Sequence, residues 1–401
     1  MALLVEGGKV VDVREGAEAP ADWMILESGI LARPEDMHAA TISDDCDKLD
    51  ATNLFLVPGL IDAHVHLGRP RQPSAGSDHP AIGRQVAQSA ERTVRAGVTL
   101  VRDLGDRWPH GLEAIKAARA LEELRVVSAL SGISAPKGYG GFLGEVVHDT
   151  AELLSAIRRY HDAGAGLIKL YLTGSVDFAS GTVGPILFDE RIVSTAARAA
   201  HDLGLPLAVH ANGAEGVMAA TAAGADTIEH GILASHDCLR AMADRGIYWV
   251  PTLTPLWRAL QAGENNADED GLARTTPLRR VFEQHRESMA RAFDLGVKVI
   301  AGTDAGAPGV PHGCLIDEVE LFVAAGVRPT LALRSATIWA AEALGVEDEA
   351  GILKPGRRGD MLLLRRDPLQ DSAALREISQ VVCGGKIIAP NPGPDSSPPK
   401  D

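Results

Sequence analysis

The sequence predicts an α/β protein: a (β/α)8 TIM-type barrel with a small β-sandwich domain built from the N- and C-terminal segments. Between about residues 58 and 345, short apolar strands alternate with Ala-rich helical stretches. Eight such units in one series favour a barrel over a doubly wound sheet, which normally has about five or six strands. Both ends of the chain are instead rich in β-branched runs and turn signals.

The eight predicted barrel strands are short and apolar, and most are followed by a turn residue. They read GLIDAHVHLG, VTLVRDLG, RVVSALSG, GLIKLYLTG, PLAVHANG, TIEHG, YWVPTLT and VKVIAGTDAG. The acidic segment 263–271 has no apolar period and predicts a surface loop after the seventh strand.

The two ends predict the smaller domain. Gly7 and Gly8 interrupt β-branched runs, which indicates a hairpin, and Gly384-Gly385 lie at a similar turn near the other end. The predicted division of the chain is a β-sandwich at 1–57 and 346–390, a barrel at 58–345 and a Pro/Ser-rich, disordered tail at 391–401.

Composition excludes several classes of protein. Of 401 residues, 45% are hydrophobic, so a large core can be buried, and the formal net charge is −15. This acidity, without a basic stripe, argues against nucleic acid or an anionic membrane as partner. Four scattered cysteines form no disulfide framework or cysteine zinc site. Without a signal-like segment or an apolar run of about 18 residues, we expect a cytoplasmic protein.

Metal-ligand side chains recur at the ends of the predicted strands. His64 and His66 end the first strand, and an i, i+2 pair on a strand points to one face. His210 ends the fifth strand, His230 the sixth and Asp304 the eighth. Barrel active sites lie at the carboxyl ends of the strands. Four imidazoles and a carboxylate there predict a metal site that suits zinc, with manganese, cobalt and iron as alternatives.

Single histidines are more often structural or solvated than ligands. We set aside those with helical or polar neighbours and no pairing residue, namely His38, His110, His148, His161, His201, His236 and His285. An HxH pair combined with two further strand-end histidines and a Gly-Thr-Asp is a much sharper pattern.

Lys169, on the fourth predicted strand, has two interpretations. A buried ammonium beside metal ions would be repelled, so its charge must be removed or paired. In the first interpretation, its side chain packs under the strand or pairs with a glutamate. In the second, its neutral amine adds carbon dioxide. The resulting carbamate is an anion with two oxygens that can bridge two metals.

These motifs resemble those of the amidohydrolase superfamily. VPGLIDAHVHLG is similar to the signature of the family's first strand, and HANGAEG, ADTIEHG and GTDAG to those of strands five, six and eight. The resemblance covers nearly the whole chain and is greatest to the prolidase (Xaa-Pro dipeptidase)-like branch, which includes aryl-amide and mycotoxin-cleaving amidases. It implies a binuclear centre and a homo-oligomer. In that centre, one metal would bind His64, His66 and Asp304, the other His210 and His230, with carboxylated Lys169 and a hydroxide bridging them.

The predicted activity is hydrolysis of an amide-type C–N bond in a small molecule, either a dipeptide, an N-acyl amino acid, an aryl amide or a cyclic amide. Two cations lower the pKa of a bridging water enough to supply hydroxide near neutral pH. Asp304 would take its proton and deliver it to the leaving nitrogen.

The predicted substrate contacts are less distinctive. In the resembling group a histidine of the strand-three loop lies over the substrate carbonyl, whereas this loop has Tyr139, whose hydroxyl can donate to an oxyanion. Tyr171 should face the same side as Lys169 and either contacts substrate or fills the barrel top. His312 either lines the pocket mouth or supports Asp304.

Three alternatives remain open. The same site could act on esters, lactones or phosphotriesters, since the metal machinery does not select the leaving group. A mononuclear ring hydrolase or deaminase would need Lys169 only as a structural residue. An inactive binding protein is disfavoured, because every expected ligand is present.

Overall fold

The computed structural model describes residues 2–36, 46–68, 79–121, 123–265 and 269–390. The predicted disordered tail, 391–401, lies outside these residues. Within them the strands are β1 Leu3–Asp12, β2 Ala17–Ile25, β3 Leu31–Ala32, β4 Asp47–Asp50, β5 Phe55–Pro58, β6 Leu60–Val65, β7 Val98–Asp103, β8 Arg125–Ser128, β9 Gly132–Ser134, β10 Gly144–Val146, β11 Ile168–Tyr171, β12 Val176–Asp177, β13 Thr182–Val183, β14 Leu207–Ala211, β15 Thr227–His230, β16 Tyr248–Val250, β17 Met361–Leu364, β18 Ile378–Cys383 and β19 Lys386–Ile388.

Helices alternate with the central strands, as the sequence predicts. They are α1 His79–Arg95, α2 His110–Arg119, α3 Thr150–Asp162, α4 Glu190–His201, α5 Gly213–Ala223, α6 His236–Arg245, α7 Leu253–Asn265, α8 Glu269–Asp294, α9 Leu315–Ala324, α10 Pro329–Ser335 and α11 Ile338–Ala343. No helix in the described part of the chain is long and apolar enough to cross a membrane.

The two ends of the chain form one mixed sheet of eight strands. Its order is β19-β18-β17-β5-β1-β2-β3, and β4 pairs with β1. Alternate residues point to opposite faces. Leu362 therefore packs in the large central core, whereas Leu363 packs with Leu3 and Trp23 in a second cluster. The described strands from both ends thus share a single sheet, and the predicted β-sandwich is not confirmed.

The two glycine pairs of this sheet behave differently. Gly384-Gly385 connect β18 to β19 in a tight hairpin, as predicted. The hairpin predicted at Gly7-Gly8 is wrong, because β1 runs straight through both residues. The pairing of β1 with β2 shifts register there, and Gly7 has a φ of 77°. Glycine tolerates this left-handed conformation, so the pair makes a bulge rather than a turn.

The central strands are parallel, and β6, β7, β11 and β14 are buried along their whole length. They form a three-stranded sheet, β6-β7-β8, and a six-stranded sheet, β10-β9-β11-β14-β15-β16. The segment predicted as the eighth strand contributes only bridges, Trp249 with Val299 and Val65 with Ala305. The described strands therefore form a mixed α/β fold with parallel sheets, and a closed eight-stranded barrel is not assigned among them.

The acidic segment 263–271 is not the predicted surface loop. Its first residues end α7 and its last residues begin α8, while 266–268 lie outside the described residues. The apolar residues that bury these helices lie outside the segment, at Leu256, Val281 and Met289. Tertiary packing therefore extends both helices into a segment that has no apolar period of its own.

Candidate metal centre

The strand ends bring the four predicted histidine ligands into one chain of contacts. The imidazole centroids of His64 and His66 are 5.5 Å apart, and those of His64 and His230 are 4.8 Å apart. His210 and His230 are separated by 4.6 Å. Parallel pairing explains this proximity, since β14 and β15 lie side by side with Ala211 opposite His230. Adjacent parallel strands end at the same edge of the sheet.

The Asp304 carboxylate lies close to the two histidines at the end of β6. Its Oδ1 lies 3.6 Å from Nε2 of His64 and 3.5 Å from Nε2 of His66. Three ligand atoms lie within 4.8 Å of one another, one each from His64, His230 and Asp304. One metal ion can span this spacing. These atoms fit a site with nitrogen and oxygen ligands.

Two of the predicted ligands have left-handed backbone conformations. His230 has a φ of 65° and Asp304 a φ of 54°. Such angles are uncommon for residues with a Cβ and cluster at functional sites. Asp62, whose carboxylate accepts from the Thr303 backbone N–H at 3.0 Å and from Oγ1 at 2.6 Å, holds the turn at Asp304.

Hydrogen bonds orient three of the imidazoles. His64 Nδ1–H donates to Glu229 at 2.7 Å, and His66 Nδ1–H donates to the Gly105 carbonyl at 2.6 Å. His230 Nδ1 lies 2.8 Å from the Thr252 hydroxyl. In each ring, Nδ1 has a protein partner, which leaves Nε2 available for a metal ion.

His210 is held through its other nitrogen. Asn212 Oδ1 accepts from the Ile232 N–H at 3.0 Å, so its Nδ2–H donates to His210 Nε2 at 3.2 Å. A neutral imidazole that accepts at Nε2 has its proton on Nδ1. His210 therefore binds a metal ion only if its contact with Asn212 or its tautomer changes.

Burial keeps these imidazoles neutral. It is the largest cause that lowers the pKa of His64 and His230 well below the usual value, and it lowers that of His210 to about 3. The nearby charge of Lys169 lowers all three further. Neutral imidazole is the form that binds metal ions.

Lys169 is fully buried beside this cluster. Its Nζ has no hydrogen-bond partner among the described residues and lies 5.3 Å from the centre of the Tyr171 ring. Desolvation lowers the Lys169 pKa to about 8, assisted by the charge of Arg102 and opposed by Glu229 and Asp304. A buried amine in this state is unusual, because lysines are almost always exposed or paired.

Aromatic rings cover the His210 side of the cluster. The Tyr139 ring stacks over His210 with centroids 4.8 Å apart and makes an edge contact with Tyr171 at 6.1 Å. Tyr171 is buried, which favours its predicted role of filling the barrel top over contact with the substrate. A Cβ at Gly132 or Gly140 would lie within 2.4 Å of the Tyr171 ring, so these glycines make room for it.

A cavity of about 690 Å³ lies along residues 306–312, the segment that follows Asp304. Phe142, Arg258, Gly306 and His312 are among its lining residues. Gly306 brings this lining close to β6, since a Cβ at Gly306 would lie 2.5 Å from the His66 carbonyl oxygen. His312 lines the cavity, and its role in contacting substrate or supporting Asp304 stays a prediction.

Sequence reasoning missed the residues that support the ligands. Glu229 and Arg102 are buried, and both contribute to the surroundings of His64. A signal was present in the sequence, because each is a charged residue inside a predicted barrel strand. Charged residues are almost never fully buried unless they are paired.

Comparison with known proteins identifies the family. The amidohydrolase family model matches residues 55–388. An uncharacterized protein of Mycobacterium bovis is 29% identical over 343 residues, which cover 84% of this chain and 86% of that protein. Ochratoxinase of Aspergillus niger is 26% identical over 378 residues, covering 84% and 77% of the two chains. The solved structure of a Xaa-Pro dipeptidase with methionine in its active site is 26% identical, with a TM-score of 0.82, and covers 97% of this chain and 100% of that chain.

The family match spans most of the chain and includes all the predicted ligands. The chain therefore belongs to the amidohydrolase family and is a hydrolytic enzyme.

Proposed function

We propose that the protein is a binuclear metal-dependent hydrolase that cleaves an amide-type C–N bond of a small molecule. One divalent ion would bind His64, His66 and Asp304, and a second would bind His210 and His230. Zinc suits this donor set. The observation that carries the proposal is the cluster of four imidazoles beside Asp304, in which His64, His66 and His230 are each held through Nδ1 so that Nε2 is available.

Lys169 completes the proposed centre as a bridging ligand. Its buried Nζ has no hydrogen-bond partner among the described residues, and its lowered pKa increases the fraction of neutral amine at neutral pH. The amine nitrogen forms a bond to the carbon of carbon dioxide and releases one proton, which gives a carbamate. Starting from the ammonium form, a second proton leaves when the neutral amine is formed, so the positive charge is replaced by a negative one that two cations can share.

Asp304 is the proposed general base and acid. The two ions, when bound, would activate the attacking water and polarise the substrate carbonyl. Asp304 would accept the proton from the water and transfer it to the leaving nitrogen. Its carboxylate lies near His64 and His66 and is partly exposed, so it can meet substrate.

The substrate would enter through the cavity bordered by Phe142, Arg258 and His312. Its size suits a dipeptide, an N-acyl amino acid, an aryl amide or a cyclic amide. The names of the related Xaa-Pro dipeptidase and ochratoxinase point to amide hydrolysis, which supports the same choice. We assign the chemistry to a proposed barrel at 58–345, with the terminal segments 1–57 and 346–390 as a separate domain.

A substrate panel tests this proposal. Zinc-loaded protein is assayed with Xaa-Pro dipeptides, N-acyl amino acids, anilides and cyclic amides, and in parallel with lactones, esters and phosphotriesters. We expect the highest kcat/KM on one of the amides and loss of that activity after chelation. A preference for lactones or phosphotriesters would contradict the choice of bond, and activity unaffected by chelation would contradict the metal centre.

A further inference from the structure

A buried chain of charges runs from β7 to the metal cluster. Arg102 and Glu229 are both almost fully buried, although they lie on strands of different sheets. Arg102 Nη2 donates to Glu229 Oε1 at 2.7 Å, and Glu229 Oε2 accepts from His64 Nδ1 at 2.7 Å. One carboxylate therefore links a guanidinium directly to a predicted metal ligand.

Arg102 is fixed at three points. Besides Glu229, its Nε donates to the Ala63 carbonyl at 2.6 Å, and its Nη1 donates to the Thr227 hydroxyl at 2.9 Å. The Thr227 hydroxyl donates in turn to Glu229 Oε1 at 2.5 Å. With Oε1 engaged twice, Oε2 is the oxygen that faces His64. The planar fork of arginine suits such a multi-point contact, which lysine cannot reproduce.

This arrangement determines the tautomer of His64. An ionised carboxylate only accepts hydrogen bonds, so the proton of His64 must reside on Nδ1. Nε2 then carries the lone pair, and it faces Asp304 within the cluster. The charge of Arg102 compensates that of Glu229, because a buried carboxylate without a cation would be strongly disfavoured.

His64 differs in this respect from the other rings held through Nδ1. His66 donates to a neutral carbonyl, and His230 lies against a neutral hydroxyl. A charged acceptor behind an imidazole increases its basicity as a metal ligand more than a neutral acceptor does.

We propose that Arg102 and Glu229 form a positioning pair that fixes His64 as an Nε2 ligand and strengthens its bond to the metal ion. This inference rests on the proposed function, since it requires that His64 binds metal. The pair does not touch the substrate, so its effect should be on the affinity and spectrum of the metal.

The test compares Glu229→Gln with Glu318→Gln. Glu318 is a second fully buried carboxylate, but it accepts from Leu253 and Thr254 at the start of α7 rather than from a predicted ligand. Zinc affinity is measured by chelator competition, the absorption spectrum is recorded on cobalt-loaded protein, and thermal stability is measured on metal-free protein. We expect Glu229→Gln to weaken zinc binding about 10- to 100-fold and to change the cobalt spectrum. Glu318→Gln should lower stability but leave zinc affinity and spectrum as in the wild type.

Arg102→Lys provides a second measurement that does not depend on folding of Glu229→Gln. It keeps the positive charge but loses the fork, so we expect a smaller loss of zinc affinity. Wild-type affinity and spectrum in both pair variants, or in Arg102→Lys alone if Glu229→Gln does not fold, would overturn the inference. Failure of the wild type itself to bind zinc would instead overturn the proposed function.

Discussion

The metal cluster and the pocket beside it are built in different ways. The cluster residues lie at the ends of buried parallel strands, and buried partners such as Glu229 and Asn212 orient their rings. The pocket is lined by residues of helices α1 and α7 together with loop residues, and among the latter Phe142 is 52% exposed. Strand register thus sets the positions of the ligands, whereas helices and loops together form the pocket.

This difference separates chemistry from specificity. A ligand set held by a rigid scaffold can be shared by relatives that act on different substrates, because loops can change without moving the strands. The chain is similar to an ochratoxinase and to a Xaa-Pro dipeptidase. We therefore expect substitutions in the metal cluster to abolish turnover, whereas substitutions in the pocket should change kcat or KM by smaller factors.

The largest effect is expected for Asp304→Asn. The amide cannot accept the proton from water, so kcat should fall by about 10³- to 10⁴-fold while part of the metal is retained. Steady-state kinetics and metal analysis of the same sample measure both quantities. Substantial residual turnover would rule out Asp304 as the general base.

A smaller effect is expected for Tyr139→Phe. If its hydroxyl donates to the developing oxyanion, kcat should fall about 100-fold with little change in KM. Tyr171→Phe is the matched control, because Tyr171 is buried and should change kcat by less than about fivefold. Equal losses of kcat in the two variants would contradict the assignment of Tyr139 as a substrate contact and of Tyr171 as a ring that only fills space.

His312→Ala tests the pocket itself. Loss of one hydrogen bond to the substrate should raise KM about 3- to 10-fold and leave kcat nearly unchanged. A large fall in kcat would instead place His312 in support of Asp304, which is the other predicted role.

The smallest effect on turnover is expected away from both regions, at His285. Burial lowers its pKa to about 4, with the hydrogen bond to the Pro251 carbonyl opposing that shift. Between pH 6.5 and 4 the unfolded state therefore binds the proton more readily than the folded state, and stability is lost as pH falls through this window. Melting temperatures across that range should fall less steeply in His285→Gln than in the wild type. Identical slopes would contradict this contribution, and turnover at pH 7.5 should be the same in both.

The sequence was sufficient to predict the metal cluster, because the pattern that indicates each ligand lies within a short segment of the chain. The HxH spacing on one strand and ligand residues at successive strand ends define positions that parallel pairing then brings together. The hairpin predicted at Gly7-Gly8 was wrong. Whether this glycine pair makes a turn or a bulge depends on the pairing between β1 and β2, which the local sequence does not specify. Similarly, the histidine rule that set aside His285 did not indicate its burial in α8.

The supporting residues could not be assigned from sequence alone. Arg102 and Glu229 are separated by more than a hundred positions, and the sheets determine that they meet. Which nitrogen each imidazole presents also depends on such partners, as Asn212 shows for His210. The pocket is the least predictable region, since loop conformation follows from tertiary contacts.

Metal content tests the central claim most directly. Elemental analysis is made on wild type and Lys169→Ala, both purified without added metal. We predict about two metal ions per chain in the wild type and one or fewer in the variant, because removal of the bridging ligand destabilises the pair. One ion or fewer in both proteins would contradict the binuclear centre and the carbamate, and would favour a mononuclear hydrolase.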